Sequence, residues 1–95
     1  MVTKIGAFDT AKFLDSEEAI AAYINAAIEE GETDALMIAL SNVIKAKGIA
    51  SVAEKAGLGR ESLYKALTPG AKPRYDTVVK LTRALGLDLN VIAHA

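Results

Sequence analysis

The chain has 95 residues, 52% of them hydrophobic and 24% charged, enough for one small packed domain and too few for two. It contains no cysteine and one histidine, His94, which excludes disulfides, thiolate catalysis and a His/Cys metal site. The formal net charge of −1 conceals an asymmetry: residues 1–44 hold two bases against eight acids, and residues 45–95 nine bases against four acids, so a polyanion is attracted to one half and repelled by the other.

The opening segment MVTKIGAFDTAKF has no signal-peptide-like apolar run, and nothing approaches the roughly 18 uninterrupted apolar residues of a membrane span. The expectation is a soluble cytoplasmic protein without a membrane partner. Residues 1–14 show no periodicity and form an N-terminal arm. Asp15 or Ser16 can cap a first helix, with Glu18 three residues after Asp15 as in a capping box. Its apolar stripe is Ile20, Tyr23, Ile24, Ala27 and Ile28, and Gly31 ends it. Thr33 can cap a second helix carrying Leu36, Met37, Leu40, Val43 and Ile44 as far as Gly48. A short third helix covers about Ser51–Ala56, Gly57-Leu58-Gly59 is a tight turn, and Arg60–Leu67 is a fourth helix. Pro69, Gly70 and Pro73 make Thr68–Arg74 a loop. Asp76 can cap a fifth helix with Val78, Leu81 and Leu85 on one face and Gly86 past its end. From residue 87 to 95 the pattern alternates, which predicts a short C-terminal strand whose open edge a second subunit can pair. The fold class is all-α: one domain over 1–95 with about five helices, an extended N-terminal arm and a short C-terminal strand.

The stretch SVAEKAGLGRESLYKAL, residues 51–67, meets the three demands of a lambda-repressor-like helix-turn-helix. Ala53 is the small residue where two steeply crossed helices touch. Gly57, four positions on, can take the positive φ of the turn. Leu63, six positions further, is the large apolar residue that faces inward. With Leu63, Ala66 and Leu67 turned in, Arg60, Glu61, Ser62, Tyr64 and Lys65 remain for the outer surface. Arg60, in the first turn, can present its planar fork to guanine O6 and N7. Ser62 suits a base edge or a phosphate, Tyr64 a phosphate or a thymine methyl, and Lys65 the backbone. Lys72 and Arg74 in the following loop can clamp phosphates. Ordinary roles compete with these: Glu61 and Lys65 stand i,i+4 and read first as a surface ion pair, and Tyr64 can be a core-edge aromatic.

These residues resemble the probable addiction-module antidote proteins, the HigA-like antitoxins of type II toxin–antitoxin systems. The likeness runs through FDTAKFLDSEEAIAAYINAAIEEGE, ALSNVIKAKGIASVAEKAGLGRESLYKAL and PRYDTVVKLTRALGLDL, and is most specific in GLGRESLYKAL and PRYDTVVKLTRALGL. It implies a dimer that binds double-stranded operator DNA upstream of its own gene and represses its operon. It also implies neutralisation of a small basic RelE/HigB-like toxin that cuts messenger RNA on the ribosome. The family's recognition-helix pattern falls on Arg60, Glu61, Ser62, Tyr64 and Lys65. Two positions depart from it. Gly59 stands where the family usually has a capping Ser, and Ala50-Ser51 where it usually has Ser or Thr followed by a phosphate-anchoring Gln; Ser51 is the shorter substitute.

The acidic half is a plausible surface for a basic toxin, with Asp9, Asp15, Glu17 and Glu18 on the arm and first helix, and Glu29, Glu30 and Glu32 as a second cluster. The competing explanation is that these acids favour helix N-termini and solubility. No nucleophile–base pair, phosphate loop or metal set is present, so neither an enzyme nor a cofactor is expected. Two alternatives share the fold: a stand-alone phage-type repressor, and a protein-interaction module whose helix-turn-helix no longer binds DNA.

Overall fold

The computed structural model describes residues 16–93, which form five α-helices. The predicted N-terminal arm, Asp15 as a cap and His94 lie outside the described residues.

Helix α1 spans Glu17–Glu29 and is capped by Ser16, whose Oγ accepts a 3.1 Å hydrogen bond from the Ala19 amide. Ile20, Ile24 and Ala27 are buried, as the helical spacing of the apolar residues requires. Helix α2 spans Thr33–Lys47 and buries Leu40, Val43 and Ile44. Its cap is Glu32 rather than Thr33: the Glu32 carbonyl already accepts from the Ala35 and Leu36 amides, so Thr33 is the first helical residue. Helix α3, Ile49–Ala56, follows after Gly48 alone. Gly48 takes φ 106° and ψ 120°, ends α2 through its amide on the Ile44 carbonyl, and starts α3 through its carbonyl on the Val52 amide. The chain bends by 107° there. This one-residue corner explains why α3 begins two residues before the predicted Ser51.

Helix α3 stops at Gly57, which adopts the left-handed conformation (φ 72°, ψ 30°). The Leu58 amide donates to the Ala53 carbonyl and the Gly57 amide to the Glu54 carbonyl, the paired bonds of a Schellman motif. Helix α4 occupies the predicted Arg60–Leu67 and ends at Thr68, whose hydroxyl donates to the Tyr64 carbonyl. After the loop, α5 spans Tyr75–Ala84 with Arg74 at its cap position. Asp76, predicted as the cap, lies in the first turn instead and pairs with Lys80 at 3.5 Å.

Ile20 and Ile24 of α1, Leu40, Val43 and Ile44 of α2, Val52 and Ala53 of α3, Leu63 of α4, and Leu81 of α5 with the adjoining Leu85 form one buried cluster. Every helix therefore contributes to the same core. Helix α3 sits centrally in it, packed against α2, α4 and α5.

The predicted C-terminal strand is absent among the described residues: residues 87–93 carry no regular secondary structure. Only Leu87 of the alternating set packs against the core, while Val91 and Ile92 are exposed. A strand forms only where another strand satisfies its amides and carbonyls, and the described residues offer none. Also among them, no single helix is long and apolar enough to cross a membrane.

Candidate nucleic-acid interface

Helix α4 separates cleanly into two faces. Leu63 and Ala66 are buried and Leu67 is half-buried, while Arg60, Glu61, Ser62, Tyr64 and Lys65 are exposed. Tyr64 retains 54% of its surface, enough for contact with a partner from the outer side of the helix. The expected Glu61–Lys65 ion pair is also missing: among the described residues the pair within 4.0 Å is Lys80–Asp76. The Lys65 ammonium is thus not held by the neighbouring carboxylate. Gly59 supplies no side-chain cap to α4, although its carbonyl accepts from the Leu63 amide at 3.0 Å. The first amides of α4 consequently have no side-chain acceptor, the condition under which a helix start favours an anion.

The loop after α4 folds back beside it. Ser62 and Lys65 from α4 and Lys72 and Arg74 from the loop line one groove of about 460 Å³, closed on its apolar side by Leu58, Ala66 and Pro73. Among the described residues, no carboxylate lines this groove. Four of the predicted contact residues are therefore brought together, three of them cationic, and Arg60 and Tyr64 lie exposed on the same short helix.

Ser51 is exposed but lies elsewhere. It lines a second groove, of about 310 Å³, together with Lys47, Lys55, Arg83 and Glu17. Glu17, expected on a toxin-binding surface, is directed here and reaches Gly86 at the end of α5. Glu18 is exposed on α1, and Asp9 and Asp15 are outside the described residues. Lys47, Lys55 and Arg83 were not singled out from the sequence. Their only local signal is a position in the last turn of a helix, where a cation complements the helix dipole.

Residues 4–93 match the family model of the probable addiction module antidote protein. The chain belongs to this antidote family. The match takes in all five helices and both grooves. An uncharacterized protein of Haemophilus influenzae strain Rd is 36% identical over 91 residues, covering 96% of this chain and 94% of that one. No solved structure matches the chain.

Proposed function

We propose that this antidote-family protein is a non-enzymatic DNA-binding antitoxin. It represses its own operon as a homodimer and neutralises a small basic RelE/HigB-like toxin. In this reading α3 and α4 are a lambda-repressor-like helix-turn-helix, and α4 is the recognition helix that enters the major groove. The observation that carries the reading is the exposed face of α4, continuous with a groove where Lys65, Lys72 and Arg74 converge. Arg60 projects from the first turn, where a fork of donors can pair with guanine O6 and N7. Ser62 and Tyr64 offer hydroxyls at neighbouring depth, and the three cations face the phosphate backbone. Glu61, free of Lys65, can accept from a cytosine amine or orient Arg60.

Membership in the family implies a toxin partner. The toxin is assigned to the acidic half, where Glu18 near the start of α1 and Glu29, Glu30 and Glu32 at its far end are all exposed. These two surfaces use different helices, so DNA and toxin need not compete for the same side chains.

A gel shift on the DNA immediately upstream of the gene, with wild type and Arg60→Ala at two salt concentrations, tests the proposal. Sequence-specific, salt-sensitive binding that weakens by about 1–3 kcal/mol in the variant is the expected result. Absence of wild-type binding at low salt would refute the DNA role and leave a protein-interaction module.

A further inference from the structure

The second groove has a charge that the proposed recognition helix does not use. Lys47 ends α2, and Lys55 and Arg83 lie in the last turns of α3 and α5, yet all three line one furrow along the outer side of α3 together with Ser51. The furrow continues past Lys55 and Arg83 to Lys80. Lys80 is tied to Asp76, whereas Lys47, Lys55 and Arg83 make no ion pair among the described residues. Among the described residues, the only carboxylate lining the furrow is Glu17.

Helix-dipole complementarity explains one cation at each helix end. It does not explain why three ends from three helices meet. Their convergence follows from the 107° corner at Gly48, which carries Lys47 beside α3, and from the packing of α5 on α3. Like charges gathered around one groove repel one another and produce a local positive potential that a run of anions relieves. A chain with net charge −1 has no general attraction for a polyanion, so such attraction must come from patches of this kind.

We infer that the furrow formed by Lys47, Lys55 and Arg83 is a second backbone-binding site for the same DNA duplex, holding phosphates apart from those reached by Lys65, Lys72 and Arg74. This rests on the DNA-binding reading above. Duplex DNA is the occupant because the furrow follows the outer side of α3, which runs straight into α4 through a turn whose Leu58 lines the loop-side groove. Among the described residues, the two grooves share no lining residue. A helix lying in the major groove has a phosphate strand on each flank. The loop cluster serves one flank, and the furrow serves the other. Ser51, too short to replace a Gln anchor alone, is then one member of a cationic site rather than its principal contact.

The test compares wild type with the triple variant Lys47→Gln, Lys55→Gln, Arg83→Gln on the upstream duplex and on a scrambled duplex of equal length, over a salt series. Each lost phosphate contact flattens the dependence of log K on log salt by about 0.9, so the three together flatten it by up to about 2.7 per protomer. Both duplexes should lose affinity by a similar factor. Glu17→Gln removes the opposing charge and should tighten both complexes, which a folding defect in the triple variant cannot imitate. An unchanged salt slope in the triple variant, with wild type still binding, would overturn this inference and leave the recognition-helix reading intact. Unchanged DNA binding combined with loss of toxin co-purification would also overturn it, reassigning the furrow to a protein partner. Failure of wild type to bind either duplex would overturn the DNA-binding reading itself, and the inference with it.

Discussion

Leu63→Ala is the change that most directly tests how α4 is held. Leu63 is 0% exposed and, with Ala66, is one of only two buried residues in the eight-residue helix. Removing a buried leucine side chain to alanine costs about 2.7–5.0 kcal/mol, depending on how far the surroundings collapse. A short helix held by few side chains can settle inward, so about 3 kcal/mol is expected here. A chain of 95 residues has roughly 5–14 kcal/mol of stability at the usual 0.05–0.15 kcal/mol per residue. The substitution therefore removes a large share of it, equivalent to a fall in Tm of about 12–24 °C. Urea denaturation followed by circular dichroism measures this directly, with a midpoint lowered by roughly 1–3 M. Leu63→Met, which conserves volume, should cost less than about 1.5 kcal/mol. A loss below about 1 kcal/mol for Leu63→Ala, with an unchanged denaturant slope, would refute the packing argument. The outward orientation assigned to Arg60, Ser62, Tyr64 and Lys65 would fall with it.

Four further outcomes follow from the geometry. Arg60→Ala, at an exposed position, should change stability by no more than about 0.5 kcal/mol in the same urea assay, so that its loss of DNA affinity is not a folding effect. Gly57→Ala should cost about 1–2 kcal/mol for backbone conformation alone, since a Cβ there meets no atom within 4 Å; Gly48→Ala, outside the left-handed helical basin, should cost at least as much, and a reversed order in thermal melts would contradict these corner geometries. Gly59→Ser should stabilise α4 by a few tenths of a kcal/mol, because φ −71° and the open space at its Cβ admit a capping hydroxyl; a lower midpoint in the urea assay would count against this cap geometry. Reversing the charges of Glu29, Glu30 and Glu32 together should abolish toxin capture in a pull-down while leaving the gel shift intact, and capture that survives would move the toxin contact elsewhere.

The helices and the two faces of α4 are legible in the residue pattern alone. Apolar residues at i, i+3 and i+4 report which side of a single helix is buried, so Ile20, Ile24, Leu40, Val43, Ile44, Leu63 and Leu81 were legible as core. Gly57 and Leu63 at fixed offsets from Ala53 located α3, the turn and α4, because a left-handed turn and an inward anchor are local requirements. Local rules failed where the outcome depends on a distant partner. The alternation after residue 86 reads as a strand, but pairing is a tertiary event, and only Leu87 of that pattern meets the core. Helix caps also shifted, with Glu32 and Arg74 taking positions that propensity gave to Thr33 and Asp76.

Which charges meet depends on how the helices pack. The sequence could count nine bases in residues 45–95, but not sort them into a loop-side groove with Lys65, Lys72 and Arg74 and a furrow with Lys47, Lys55 and Arg83. Nor could it turn Glu17 away from the acidic face and into that furrow. Periodicity is a property of one helix and carries no information about the angle between two. The 107° corner at Gly48 and the packing of α5 on α3 supply that angle, and with it the convergence of side chains 8 to 36 residues apart in sequence.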